Sequence, residues 1–167
     1  MNLFTGRSSD AFFGGEVPAA ARSLLHRAAS SGPADRAALL WTAQTLAPQC
    51  LAIYYTLYKH HAGRREFELA ERAAWRGLHE AAAAAGIAAD WREVEPPLPP
   101  EVGQSEAGRF WLFTLKALAF ILLRSGRADA ARELLRKLDA CDPGARIGGE
   151  VIATLLDAAA PRPGPAR

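Results

Sequence analysis

Phe110 to Pro143 reads FWLFTLKALAFILLRSGRADAARELLRKLDACDP. Apolar residues recur through it at steps of three and four, as on the buried side of a helix. Leu115, Leu118, Ala119 and Leu122 form a first stripe, and Gly126 interrupts it. Ala131 and Leu135 continue on a second stripe, which Pro143 stops because proline cannot extend a helix. The segment is therefore expected to be two helices folded back at Gly126. Small Ala119 and Ala131 let the two axes approach, while larger residues fill the space beside them.

The same punctuation extends upstream. Ala21, Leu24, Leu25 and Ala28 repeat at helical spacing until Gly32-Pro33 turns the chain. A second helix passes through Ala37, Leu40, Trp41 and Thr45 to Pro48, and a third through Leu51, Tyr54, Tyr55 and Tyr58 to Gly63. A fourth spans Phe67 to Ala85, with Ala70, Ala74, Trp75 and Leu78 on one stripe, and closes at Gly86. Between Pro96 and Pro100 four of five residues are proline, which removes donors and restricts neighbours. Residues 92–109 are read as an extended, partly polyproline connection, with helix returning at Phe110. Downstream, a last helix fits 149–159, and the proline-rich tail 161–167 has a disordered composition. No segment alternates at period two. About seven helices are expected in one domain over 1–160, in pairs 18–48, 50–86 and 110–143.

Helix pairs of about 34 residues with W-x2-L-G-x2-Y, A-x3-F and a closing proline mark the tetratricopeptide repeat. Leu115-x2-Leu118-Ala119-x2-Leu122, Gly126, Ala131-x3-Leu135 and Pro143 resemble that pattern. Ala21-x2-Leu24-Leu25-x2-Ala28 with Ala37-x3-Trp41, and Tyr54-x2-Leu57-Tyr58-x2-His61 with Ala70-x3-Ala74, resemble it less fully. The interval is the same in each pair: Ala21 to Ala37, Tyr54 to Ala70, Leu115 to Ala131. The middle pair departs from the family because its second helix meets no proline before Pro96. The resemblance implies an all-α fold: antiparallel helix pairs stacked as a short solenoid, with 149–159 as a capping helix. More narrowly, Tyr54-Tyr55-Thr56-Leu57-Tyr58-Lys59, Ala89-Asp90-Trp91-Arg92 and Phe110 to Phe120 resemble small nitrogenase-associated accessory factors encoded beside nitrogen-fixation genes. That likeness implies a factor docking on a nitrogenase component during assembly, storage or protection.

Composition bounds the remaining readings. The chain has 167 residues, 50% of them hydrophobic, and a net charge of +2 from 20 basic and 18 acidic groups. The apolar run Ala117 to Leu123 is far short of the ~20 residues of a membrane span. Met1 to Asp10 lacks the basic and apolar regions of a secretory signal, so a cytoplasmic, membrane-free protein is expected. Residues 109–146 carry eight basic side chains against four acidic ones, a local +4 that reads first as a solvated helix face. No interleaving of basic and aromatic residues suggests nucleic acid.

Catalytic patterns are missing as well. No phosphate-binding glycine loop, nucleophile elbow or H-E-x-x-H occurs. His60 and His61 are adjacent, so on a helix they diverge by about 100° and poorly suit one metal ion. Cys50 reads as a small buried group, and Cys141 lies at a helix C-terminus whose dipole disfavours a thiolate. A non-enzyme without cofactor or metal is expected. Trp41 and Trp75 fall on core stripes, whereas Trp91 either anchors the proline-rich segment or faces a partner.

Within the repeat family the first helices line the concave surface. Carried over position by position, this implies a partner-binding set of Arg22, His26, Tyr55, Lys59, Lys116, Phe120 and Arg124, with Trp91 beside it. The mixture of aromatic and basic groups suits a folded protein partner. The alternatives are a peptide-binding co-chaperone and a homo-oligomeric scaffold using the apolar helix 110–123. Asn2 is the sole asparagine, which argues against the family's asparagine-containing peptide clamp.

Overall fold

The computed structural model describes residues 17–144 and 147–159. Its elements are α1 (Ala19–Ser30), α2 (Pro33–Leu46), α3 (Leu51–Gly63), α4 (Phe67–Ala85), α5 (Pro100–Gln104), α6 (Glu106–Arg124), α7 (Ala128–Cys141) and α8 (Glu150–Ala159). The all-α expectation holds, with eight helices and no strand among the described residues. The segment 161–167 lies outside them.

Three pairs, α1/α2, α3/α4 and α6/α7, are joined by short turns. α4 packs as closely on α6 as on α3, and α8 lies against α6 and α7. α6 is therefore central, and its apolar circumference has a physical cause: Phe110 to Leu115 are all buried. The stripe of α4 that faces both neighbours is small: Ala70, Ala73, Ala74, Gly77, Ala81 and Ala82. At Gly77 a Cβ would stand only 2.7 Å from Tyr54 Cβ and 3.2 Å from Phe110 Cζ, so α3, α4 and α6 meet there without spare room. Gly86 and Gly126 end α4 and follow α6 with left-handed φ of 68° and 80°, the conformation glycine adopts without strain.

The proline-rich stretch corrects the expected boundaries. Helix does not wait for Phe110: α5 forms within the stretch and α6 starts at Glu106. Pro100 occupies the first turn of α5, where its missing donor is no loss. The Ser105 hydroxyl then caps α6 by accepting from Gly108 N at 3.0 Å. The segment before α5 is laid down on α7. Lys137 Nζ donates to the carbonyls of Arg92 (2.9 Å) and Val94 (2.8 Å), and Leu98 N–H donates to Cys141 O at 3.2 Å. Trp91, Val94 and Leu98 are buried beneath it.

Two tryptophans also depart from expectation. Trp41 and Trp75 are half-buried, and each directs its indole N–H to a partner, His61 Nε2 at 3.1 Å and Glu71 Oε1 at 3.1 Å. Trp111 is the tryptophan that lies wholly in the core.

Candidate functional site

α3 divides its residues sharply. Tyr54, Tyr55, Leu57, Tyr58 and His61 turn inward, whereas Thr56, Lys59 and His60 stay half-exposed on one stripe. α1 presents a matching stripe of Arg22, Leu25, His26 and Ala29. α1 packs on α2 and barely meets α3, so the two stripes face each other across an open cleft of about 810 Å³. Pro33, Arg36 and Leu40 of α2 close its end, and Arg64 stands beyond α3.

Several side chains around the cleft are already engaged. Arg36 donates from Nε to Ala28 O at 2.9 Å, and from Nη2 to Ala29 O and Ser31 O, satisfying carbonyls at the end of α1. Arg22 Nη2 donates to Val17 O at 3.0 Å. Arg64 Nε donates to Glu66 Oε1 at 2.9 Å. Lys59 has no carboxylate partner among the described residues, and its ammonium lies 5.6 Å over the Tyr55 ring. Burial holds its pKa below the ordinary lysine value. His60 Nε2 is buried without a hydrogen-bond partner among the described residues. Burial, then the neighbouring His61 and Arg36, lower the His60 pKa. Both shifts point to a desolvated, positive lining.

Behind this wall the adjacent histidines separate, His61 into the core and His60 to the cleft, their rings 5.0 Å apart. Ligand atoms of His60, His61 and Glu66 nonetheless come within 4.8 Å of one another, closer than the divergence of neighbouring helix positions suggests. The hydrogen bonds specify another use. Trp41 donates to His61 Nε2, so the ring proton resides on Nδ1 and is donated to Glu66 Oε2 at 2.6 Å. A cation on Nδ1 would displace that proton toward Nε2, where Trp41 has only a donor to offer. His61 thus ties α2 to the turn between α3 and α4. Its hydrogen bond, with that from Arg64, holds the Glu66 carboxyl below the usual range.

The sequence-expected residues do not all converge on one surface. Arg22, His26 and Lys59 share the cleft. Tyr55 is buried behind Lys59, and its ring meets Phe113 at 6.0 Å; Lys116 in turn lies 5.9 Å over Phe113. A ladder of cation, two aromatic rings and cation therefore runs from α3 to α6. Lys116 Nζ also donates to Ile147 O at 3.0 Å, which commits it to the segment leading into α8. Phe120 is half-buried against the core and Arg124 is exposed. Trp91 is 8% exposed, with the Arg92 guanidinium 4.5 Å over its ring. Arg36, His60 and Arg64 were not foreseen, since their convergence depends on the angle between α1 and α3.

Burial raises the Cys141 pKa, with Lys137 acting the other way, which disfavours its thiolate. Cys50 is half-buried ahead of α3.

No family model matches the chain. A 19.8 kDa uncharacterised protein in the nifW 5′ region of Azotobacter chroococcum mcd 1 is 27% identical over 119 residues, 70% of this chain and 67% of the relative. No solved structure matches.

Proposed function

We propose that the protein is a non-enzymatic accessory factor of nitrogen fixation that binds a folded protein, a nitrogenase component, during assembly, storage or protection. The observation that carries the binding role is the cleft, whose cations and apolar floor converge without a catalytic constellation. The relative in a nifW 5′ region supports the cellular context. In this reading the helix pairs stack as a short tetratricopeptide-like solenoid with α8 as its cap, in the cytoplasm. The first helices α1, α3 and α6 supply the interface, and the ladder from Lys59 to Lys116 makes it continuous. A homo-oligomeric scaffold is the second reading, favoured by the exposed Leu46 and Leu155.

Affinity capture from the native cell under nitrogen-fixing growth, followed by cross-linking and mass spectrometry, tests this function. Nitrogenase subunits cross-linked through Lys59 or Lys116 are expected. Reproducible recovery of unrelated proteins alone would refute the nitrogenase assignment, and recovery of the chain with itself alone would favour the scaffold.

A further inference from the structure

We infer that the cleft between α1 and α3 receives an acidic, amphipathic helical segment of the partner protein. This rests on the protein-binding reading above and adds the chemistry of what is bound. Arg22, Arg36, Lys59 and Arg64 line the cleft together with His26 and His60, and among the described residues no carboxylate does. Among the described residues, Lys59 is a half-buried ammonium without a carboxylate partner, and His60 keeps a buried ring nitrogen without a hydrogen-bond partner. Such groups carry a desolvation cost that a ligand carboxylate offsets when it arrives.

The shape selects a segment over a small anion. The α1 stripe runs from Arg22 to Ala29 and the α3 stripe from Thr56 to Arg64, each about two helical turns or ~10 Å. Val17 and Leu25 are half-exposed apolar groups between these cationic rims, with Ala28 and Leu40 buried beneath them. A free phosphate or a small dicarboxylate would leave that apolar floor uncovered. A helix carrying leucines on one face and glutamates beside them covers both, the helix-in-groove mode of recognition. Cationic rims also accelerate encounter with an acidic partner and repel a basic one.

The test uses the full chain and two fluorescein-labelled helical peptides of about 14 residues, long enough for the ~10 Å stripes. One has leucine at i, i+3 and i+7 with glutamate between; its twin has lysine for every glutamate. Binding is followed by fluorescence anisotropy, and the histidine ring signals by nuclear magnetic resonance. The glutamate peptide is expected to bind, to shift the His60 ring signals and to leave those of exposed His79 in place. Lys59→Glu should weaken it at least about tenfold and Lys59→Gln about threefold, losses that shrink as salt screens the rim. Circular dichroism of each variant establishes that it is folded. Equal binding of the two peptides, or no binding of the glutamate peptide, overturns the inference. So does binding indifferent to both substitutions. A shift of the His60 signals on Phe12→Ala with Phe13→Ala, in the absence of peptide, would assign the cleft to the chain's own residues before Val17 and overturn it as well. Nitrogenase subunits still captured by Lys59→Glu would sink this inference while leaving the proposed function standing.

Discussion

Gly77→Ala tests how tightly the three central helices are packed. In an open helix the change stabilises by ~1 kcal/mol, because alanine is the better helix former. Here the added Cβ would meet Tyr54 Cβ at 2.7 Å, Tyr54 Cγ at 3.1 Å and Phe110 Cζ at 3.2 Å. The first of these atoms is fixed to the α3 backbone, so no rotamer change relieves it. Overpacking of this kind costs ~1–3 kcal/mol, which cancels the propensity gain and leaves a net loss of up to ~2 kcal/mol. At ~2–4 °C per kcal/mol for a chain of this size, Tm should fall by up to ~8 °C instead of rising. Gly63→Ala is the control, since its Cβ would meet nothing within 4 Å. Thermal melts followed by circular dichroism read both. The strain would push α3 away from α4 and toward α1, so Gly77→Ala should also narrow the cleft and shift the His60 ring signals. A Tm raised by Gly77→Ala as much as by an ordinary helix Gly→Ala would refute the close approach.

Other expectations can be checked on the same material. Gly126→Val should cost ~1 kcal/mol or more, because Gly126 has φ of 80° while a Cβ there meets no atom; an unchanged Tm would contradict the left-handed turn. Phe120→Ala should lower stability by ~2 kcal/mol, below the cost of a fully buried phenylalanine; loss of partner binding with unchanged Tm would instead make it an interface anchor. Glu66 and Glu71 both have pKa values below the ordinary range: Glu66 through hydrogen bonds from His61 and Arg64, Glu71 through Arg127 and Trp75 against an opposing burial effect. A depressed folded-state pKa contributes stability above the unfolded value that is lost as pH falls through the folded one. Tm should therefore decline on acidification below pH ~4.5, and less steeply in Glu66→Gln with Glu71→Gln; parallel profiles would remove these carboxylates as the cause.

Much of the architecture could be read from residues that break helices. Gly86 and Gly126 end their stripes in the left-handed conformation, and Phe67–Ala85 and Leu51–Gly63 have the expected bounds. The proline run misled at its far end, because a proline forbids helix before itself yet is compatible with starting one. Pro100 does start α5, and nothing in the spacing of apolar residues distinguishes the two cases. Trp41 sits on an apolar stripe but keeps its N–H for His61, a demand that periodicity does not register. For the cleft, register along α1 and α3 sufficed to bring forward Arg22, His26 and Lys59. Arg36, His60 and Arg64 required the tilt between two helices, which long-range packing sets.

The proline-rich segment bound across α7 bears on which end of the molecule opens first. In a linear stack each unit leans only on its neighbours, so both ends fray. Here the carbonyls of Arg92 and Val94 and the N–H of Leu98 fasten the chain that follows α4 onto α7. The C-terminal pair is thereby stitched to chain some forty residues upstream and opens only when that seam does. Among the described residues α1 has no such seam; it packs chiefly on α2, with Arg36 bonded to its last carbonyls. Amide protons of α1 should exchange by local opening, and those of α7 only with the whole domain. If α1 opens first, a segment bound in the cleft would stabilise the part of the chain with the most freedom to lose, and its arrival should slow exchange in α1 more than in α7.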